Sequence, residues 1–334
     1  MKKIILTSIF STLVCVASFG QTLYRSILSH NGSLTQYDIN SWTDALTDAV
    51  DGDTIYFTPG TFPGDITITK KIALIGSGVC ESQAWYYSDN SMVEAMVGSG
   101  TPSDNSTKFT GIINIELDDN PTLTATMFEG FLMTNTVRIN KTVTDLKIKR
   151  CQIQTLGTNY DDVSDASAKP ANLTLESCCI YNLYMGNFVS PNIYNCYIDV
   201  AQMKSQSFNF TNCSIANTYN SEGCNFINCF IYQEYSYGIN THLNCVHHND
   251  FTSIGSTYTN CWTFDEVTTR PWYWSKDYLS ENNYIGNDGT VVGPLGGAAP
   301  FTFIPSQPYV SSSSVAYDAQ SKKLNVNITV KKGK

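Results

Sequence analysis

The chain has 334 residues, of which 42% are apolar and only 15% are charged, whereas about a quarter are charged in an average domain. Its net charge of −9 disfavours nucleic acid and anionic membranes as partners, because both are bound by clustered Lys and Arg. After residue 20, no apolar run reaches the ~18 residues that a membrane span needs, so we expect none.

Residues 1–20 have the three-part pattern of a secretory signal peptide. Lys2 and Lys3 form the basic start, residues 4–16 form the apolar centre, and small residues precede a predicted cut before Gln21. We therefore expect an exported protein that resides in the periplasm, on the cell surface or outside the cell.

A short amphipathic helix is predicted between residues 39 and 50. Its apolar residues recur at helical spacing: Trp42, Ala45, Leu46, Ala49 and Val50. Asn40 or Ser41 is expected to cap its N-terminus. Such a helix covers the open end of a stacked fold, which the repeat further along the chain predicts.

Two segments lack the periodicity of their neighbours. Residues 80–108 are rich in Ser and Gly and are predicted to form a surface loop. The second, residues 157–170, carries Asp161, Asp162 and Asp165, oxygen ligands at the density that a calcium site needs. The spacing matches no calcium loop, so a solvated acidic loop is favoured, with calcium as the alternative. No other cofactor is predicted.

The clearest pattern is an array of cysteines at positions 151, 178, 196, 213, 229, 245 and 261, with intervals of 27, 18, 17, 16, 16 and 16 residues. In the last five units the preceding residue is Asn, and most units have apolar residues three before and two after the Cys. Residues two apart share a strand face, so the Cys and the residue two later point into a core. In one regular strand, the residue three before the Cys would face away from the core, because residues an odd number apart lie on opposite faces. It is nevertheless apolar, so a turn must separate two strands here, and a left-handed Asn provides it.

Coils of 16–18 residues that stack at about 4.8 Å form a parallel β-helix, an all-β solenoid. We expect the solenoid and its N-terminal cap over residues 21–300 and a C-terminal capping segment over residues 301–334, with a hairpin turn at 318–321. Stacked cysteines point in parallel, which favours free buried thiols. A disulfide framework is the alternative, because exported proteins form disulfides.

Residues 42–78, WTDALTDAVDGDTIYFTPGTFPGDITITKKIALIGSG, are similar to the opening of pectin-lyase-like right-handed parallel β-helix proteins. Those chains often begin with a short helix, a Gly-Asp-Thr-Ile-like strand, a Pro-Gly-Thr-Tyr-like turn and a Thr-Leu-Ile-Gly-like strand. Together with the cysteine array, the resemblance covers most of residues 40–300. It implies a right-handed parallel β-helix but no particular activity, since the family includes lyases, hydrolases and adhesins. The tail also resembles those of secreted β-helix proteins from Gram-negative bacteria.

The resemblance prompts a search for two kinds of catalytic site. A lyase needs Lys or Arg as a base, but residues 186–261 contain only Lys204 and His side chains as basic groups. A hydrolase needs clustered carboxylates, and Glu234, Asp250 and Glu266 each lie five residues after a Cys. The favoured interpretation places these three in solvated turns. We therefore assign no catalytic residue.

Two histidines, His242 and His247, replace apolar residues in the inward columns of one coil. With Cys245 they offer three metal ligands. The favoured interpretation is a frayed coil or imidazoles bonded to the backbone, because a third outer ligand is not visible. No metal site is assigned.

The outward positions of the array are rich in rings. Tyr197, Phe230 and Trp262 each follow a Cys directly, and a second group lies three residues after a Cys: Tyr181, Tyr232 and His248. Exposed apolar patches usually mark contact sites, and flat rings beside amides suit sugars. We predict that these six residues bind a polysaccharide or cell-surface glycan. In the alternative, a loop, the tail or a second copy of the chain in a homo-oligomer covers them.

The sequence thus favours an exported, non-catalytic glycan- or surface-binding module. The alternative is a polysaccharide lyase or glycoside hydrolase of the pectin-lyase fold.

Overall fold

The structure is a computed structural model that describes residues 25–79, 106–117, 126–139, 143, 145–157, 172–186, 188–203, 207–235, 238–248, 255–264, 276–304, 309–318 and 323–331. The predicted signal peptide lies outside the described residues. So do five predicted carboxylates: Asp161, Asp162, Asp165, Asp250 and Glu266. The predictions made for them stay predictions.

The described chain is almost entirely β, with two short helices, α1 (Asp44–Asp48) and α2 (Lys276–Glu281). The strands are β1 Arg25–His30, β2 Ser33–Asp38, β3 Thr54–Phe57, β4 Gly60–Phe62, β5 Ile66–Ile68, β6 Ala73–Ile75, β7 Thr107–Phe109, β8 Ile113–Ile115, β9 Met127–Glu129, β10 Phe131–Ile139, β11 Lys147–Lys149, β12 Gln152–Gly157, β13 Thr174–Glu176, β14 Cys179–Met185, β15 Asn192–Tyr194, β16 Tyr197–Met203, β17 Asn209–Thr211, β18 Ser214–Tyr219, β19 Asn225–Ile227, β20 Phe230–Tyr235, β21 Thr241–Leu243, β22 Val246–His248, β23 Thr257–Thr259, β24 Trp262–Phe264, β25 Tyr309–Asp318 and β26 Lys323–Lys331.

Two long sheets of 12 strands each make up a parallel β-helix, which confirms the predicted fold class. Sheet 1 runs in the order β2-β1-β3-β6-β9-β11-β13-β15-β17-β19-β21-β23. Sheet 2 runs β24-β22-β20-β18-β16-β14-β12-β10-β7-β4, and β5 and β8 join it beside β10. From β9 to β24, consecutive strands along the chain alternate between the sheets, so each of these strands pairs with strands one coil away.

The corner between the sheets has the predicted left-handed residue. In one coil, β17 ends at Thr211, Asn212 has φ 52°, and the inward Cys213 precedes β18. Arg150 and Ser177 hold the same position with φ 51° and 52°. Asn is favoured at this corner because it reaches the left-handed region with less strain than most residues.

Side chains stack in columns along the interior. Phe210 and Phe226 are fully buried and stack with ring centroids 5.0 Å apart and planes 9° apart. Burial of each such ring stabilises the fold by about 1.5–3 kcal/mol. The nine described cysteines are free, and all but Cys261 are buried, as predicted. The thiol of Cys213 donates to the carbonyls of Thr211 and Ile193, at 3.3 and 3.4 Å, and is held away from disulfide geometry.

The N-terminal end is capped by α1 and by an antiparallel hairpin, β1–β2, that the sequence analysis missed. Its turn is Asn31-Gly32, with φ 48° and 79°, a dipeptide typical of tight hairpin turns. Ala45 of α1 is buried, and so is Trp42, which precedes the helix and whose ring lies 5.5 Å from that of Phe62. The predicted cap was wrong: the N-cap is Thr43, whose side chain makes no capping hydrogen bond, because the helix begins later than expected.

The C-terminal hairpin is present as predicted, with β25 and β26 paired antiparallel on either side of residues 319–322. Among the described strands these two pair only with each other.

Asparagine side chains form a ladder, but not mainly at the corner. Asn225 donates to Asn209 at 3.0 Å, and Asn209 donates to Asn192 at 3.3 Å, along one column of sheet 1. In the corner column, the amide of Asn244 donates to that of Asn228 at 3.5 Å. The corner amides form hydrogen bonds mainly with residues 284–303, which are described below.

Candidate functional site

A covering segment, residues 284–303, lies across the outward face of sheet 2 next to the corner. The side-chain amide of Asn195 donates to the carbonyls of Gly296 and Pro294, at 2.8 and 3.0 Å. Asn228 donates to Asn287 Oδ1 at 2.9 Å and accepts the Asn287 backbone N–H at 3.2 Å. The segment therefore runs back along the solenoid, held by the corner amides.

One glycine permits this close approach. A Cβ on Gly297, which has φ +78°, would lie 2.3 Å from the amide nitrogen of Asn212. No other residue fits that gap with that backbone conformation.

The six residues predicted to bind a glycan differ in how exposed they are: those of the first outward column are covered fully or in part, and those of the second are more open. Tyr197 and Phe230 are each 3% exposed, and Tyr197 meets Phe301 of the covering segment at 4.9 Å. Trp262 is half-buried beside Tyr284, with centroids 5.9 Å apart. These rings of the first outward column therefore pack against the chain's own covering segment.

The second outward column is more open. Tyr181, Tyr232 and His248 are half-buried, and the rings of Tyr232 and His248 stack 4.3 Å apart. The prediction that the six residues bind a glycan stays a prediction, and only this second column and Trp262 retain exposed surface.

Sheet 2 turns a second corner that the sequence analysis missed, and beyond it lies a tyrosine stripe: Tyr184, Tyr219 and Tyr235. Tyr184 and Tyr219 are aligned through Gln202, and Tyr219 pairs with Tyr235 in the next coil. The rings of Tyr219 and Tyr235 stack 4.9 Å apart at 10°, and Tyr235 is 47% exposed. None of the three belongs to a buried apolar cluster of the described chain.

Amide side chains lie beside the stripe. Gln233 Oε1 accepts the hydroxyl of Tyr235 at 2.8 Å, and Asn217 is half-buried on the adjacent column. Rings with neighbouring hydrogen-bonding groups form the kind of surface that can stack on a sugar and bind its hydroxyls.

The same second corner turns Glu234 inward, so its predicted place in a solvated turn was wrong. It aligns with the buried Thr218 and Ala201, and its side chain is only 10% exposed. Asn240 donates to its Oε1 at 2.9 Å, and its Oε2 lies 3.6 Å from His242 Nε2.

Around Glu234, the last coils contain a polar layer in place of hydrocarbon. His242 is fully buried between the rings of Phe226 and Tyr258, at 4.9 and 4.5 Å. His247 meets it edge-on at 4.9 Å. One ligand atom each from His242, Cys245 and His247 lie within 4.8 Å of one another.

The environment shifts several pKa values in this layer. Burial acts to raise the pKa of Glu234, but contacts with His242 and Asn240 outweigh it and lower the value. Burial lowers the pKa of His247. Interaction with the Cys245 thiol, aided by His247, lowers the pKa of Cys261 to about 4. Thiolate and neutral imidazole are the forms that bind metal ions.

A second polar cluster lies on sheet 1, which the sequence analysis did not identify. Lys149 pairs with Glu176 at 2.5 Å, and Arg150 pairs with Glu129 at 2.6 Å. Glu129 and Lys149 are neighbours in register. The side chains of Arg150 and Glu129 are only 13% and 2% exposed, so that pair is largely closed to a substrate. Those of Lys149 and Glu176 are 26% and 24% exposed, so a substrate can reach them.

Comparison of the chain with protein-family models, with curated proteins and with solved structures finds no match. Neither helix of the described ranges is long and apolar enough to cross a membrane. The geometry of these surfaces is therefore the basis for any statement of function.

Proposed function

We propose that the protein is an exported, non-catalytic module that binds a neutral polysaccharide or cell-surface glycan through the tyrosine stripe. The observation that carries the proposal is the stripe itself, in which Tyr219 and Tyr235 stack on adjacent coils at an exposed face. The signal-like residues 1–20 support export, and the net charge of −9 disfavours acidic glycans. The resemblance of residues 42–78 supports placing the chain among pectin-lyase-like β-helix proteins.

The rings are held on paired strands, so little conformational entropy is lost when a sugar stacks on them. Each stacked ring is expected to contribute about 1 kcal/mol, by analogy with aromatic pairs. Loss of two rings should then weaken binding at least about tenfold, since 1.4 kcal/mol is a factor of ten.

A glycan array screen of the purified protein, followed by calorimetric titration of the strongest neutral hit, tests this proposal. We expect Tyr219→Ala/Tyr235→Ala to lose at least about tenfold in affinity. The matched control is Tyr194→Ala, which removes a tyrosine that is 37% exposed on sheet 1; its affinity should stay that of the wild type. An array without hits, or equal loss in the control, would refute the stripe as the site.

Polysaccharide cleavage is a second candidate, favoured by the cluster of Lys149, Arg150, Glu129 and Glu176. The same glycans should be incubated with the wild type and with Lys149→Met, and the products analysed. Cleavage by the wild type that is lost in Lys149→Met would establish a catalytic site and overturn the non-catalytic proposal.

A further inference from the structure

Two imidazoles occupy core positions that hold hydrocarbon in the preceding coils. His242 follows Phe226 in the register of sheet 1, and His247 follows Ile231 in sheet 2. An ordinary core would continue with Phe and Ile here. Packing alone does not explain why His replaces both Phe and Ile in the same coil.

His242 is poorly suited to a purely structural role. It is fully buried, and neither ring nitrogen makes a hydrogen bond within the part of the chain that the structure describes. The Glu234 carboxylate, 3.6 Å from Nε2, is too distant for one. Buried polar groups in native proteins are almost always bonded, so an unsatisfied imidazole in a core points to a missing ligand.

The groups around it are metal ligands. His242, Cys245 and His247 are all buried and offer three ligand atoms within 4.8 Å of one another. Cys261 lies one coil further: its Sγ accepts the backbone N–H of Cys245 at 3.4 Å and lies 3.6 Å from the carbonyl oxygen of His242. Its thiol also interacts with the side chain of His247. Four donors thus come from two adjacent coils.

We propose that His242, Cys245, His247 and Cys261 bind one Zn²⁺ ion inside the last coils of the solenoid. Two imidazole nitrogens and two thiolates suit zinc, whereas calcium and magnesium prefer oxygen. Zinc holds its ligands at about 2.0–2.3 Å, so neighbouring ligand atoms lie about 3.3–3.8 Å apart. The ligand atoms of His242, Cys245 and His247, which lie within 4.8 Å of one another, need to approach by roughly 1 Å, and Cys261 needs to move toward them.

The charges balance in the bound state. Each of the two thiols loses its proton to solvent as its sulfur binds zinc, and the imidazoles bind as neutral rings. Two thiolates neutralise the ion, which suits a site in which three of the four ligands are buried and Cys261 is half-buried. Glu234 Oε2 lies 3.6 Å from His242 Nε2, and a small approach of the two would let this carboxylate orient the ring, as carboxylates commonly do for zinc-bound imidazoles.

The position of the ion implies its role. Strands β23 and β24 are the last of their sheets among the described strands, so Cys261 belongs to the final described coil. Zinc links that coil to the one before it. The ion would stabilise the end of the solenoid, where each coil has a neighbour on one side only.

The test begins with metal-free wild-type protein and Co²⁺, which reports its ligands by absorption. We expect thiolate-to-cobalt charge-transfer bands and the visible bands of a tetrahedral site at one equivalent, both abolished by one equivalent of Zn²⁺. Zinc should also raise the melting temperature. Absence of thiolate-to-cobalt absorption in the wild type would overturn the proposal without reference to any variant.

The informative variant is His242→Phe/His247→Ile, which restores the residues of the preceding coil and so preserves the core. Because partners outside the ligand shell already change metal affinity about 10–100-fold, loss of two ligands should weaken zinc binding by more than about 100-fold. Without metal, the double variant should have a higher melting temperature than the wild type. The control is Cys213→Ala, which removes a thiol from the inward cysteine column two coils before Cys245. This variant should bind zinc as the wild type does. Retention of zinc by the double variant, or loss in the control, would contradict the site.

Discussion

Asn228 occupies a left-handed corner and its side chain holds the covering segment. Asn228→Val adds strain at the corner and removes the hydrogen bonds of that side chain. A β-branched residue at its φ of 53° costs about 1–2 kcal/mol. The side chain also makes three hydrogen bonds, two with Asn287 at 2.9 and 3.2 Å and one with Asn244 at 3.5 Å. At about 1 kcal/mol each, their loss brings the expected destabilisation to about 4–5 kcal/mol.

Asn260→Val is the matched control, because Asn260 holds the same corner position with φ 50° but is exposed. It should incur only the backbone term of about 1–2 kcal/mol. Urea unfolding of both variants, with midpoints and slopes compared, measures the difference. Equal destabilisation of the two would refute the role of the Asn228 side chain in holding the covering segment, and wild-type stability of both would refute the left-handed corner.

Two further predictions concern the interior. A thiol assay in denaturant without reductant should titrate the nine described cysteines as free thiols, whereas fewer than about two per chain would indicate a disulfide framework. Glu234 has a lowered pKa in the folded state, so its contribution to stability is present above its ordinary pKa of 4.5 and is lost as pH falls through the lowered value. The stability advantage of the wild type over Glu234→Gln, measured by urea unfolding, should therefore be present at pH 7 and shrink below pH 4.5; an advantage that grows on acidification would contradict the lowered pKa.

The solenoid could be predicted because one short unit carries several independent constraints. In the coil of Cys213, the inward thiol, the inward Ile215 and the left-handed Asn212 fix both strands and the corner between them. Repetition of that unit at 16–18 residues then fixes the stacking. The local preferences of the repeated unit favour the same structure as the stacked fold does, so the fold could be predicted from the sequence.

The covering segment could not be predicted, because parity shows which side of a strand a residue faces and not what lies over it. Tyr197 and Phe230 point outward as expected, yet they are buried by residues far along the chain. The bond from Asn195 to Gly296 spans 101 residues. No periodicity connects such partners.

The second corner was missed for a different reason. The position five residues after the Cys, which holds Glu234, was interpreted as a solvated turn. The strands instead continue through this position and turn their side chains inward again, as at Leu183 and Ala201. Apolar residues recur at this position in the earlier coils, and that signal was available in the sequence. Reading it would have placed Glu234 inside and Tyr219 and Tyr235 on the outer face.

A crystal structure of the protein bound to its strongest neutral glycan hit would test the central claim most directly. It should show a sugar ring stacked on Tyr235 or Tyr219, with hydroxyls bonded to the amides beside them and the covering segment in place over Tyr197 and Phe230. A sugar bound at the first outward column with the covering segment displaced, or bound on sheet 1, would contradict it.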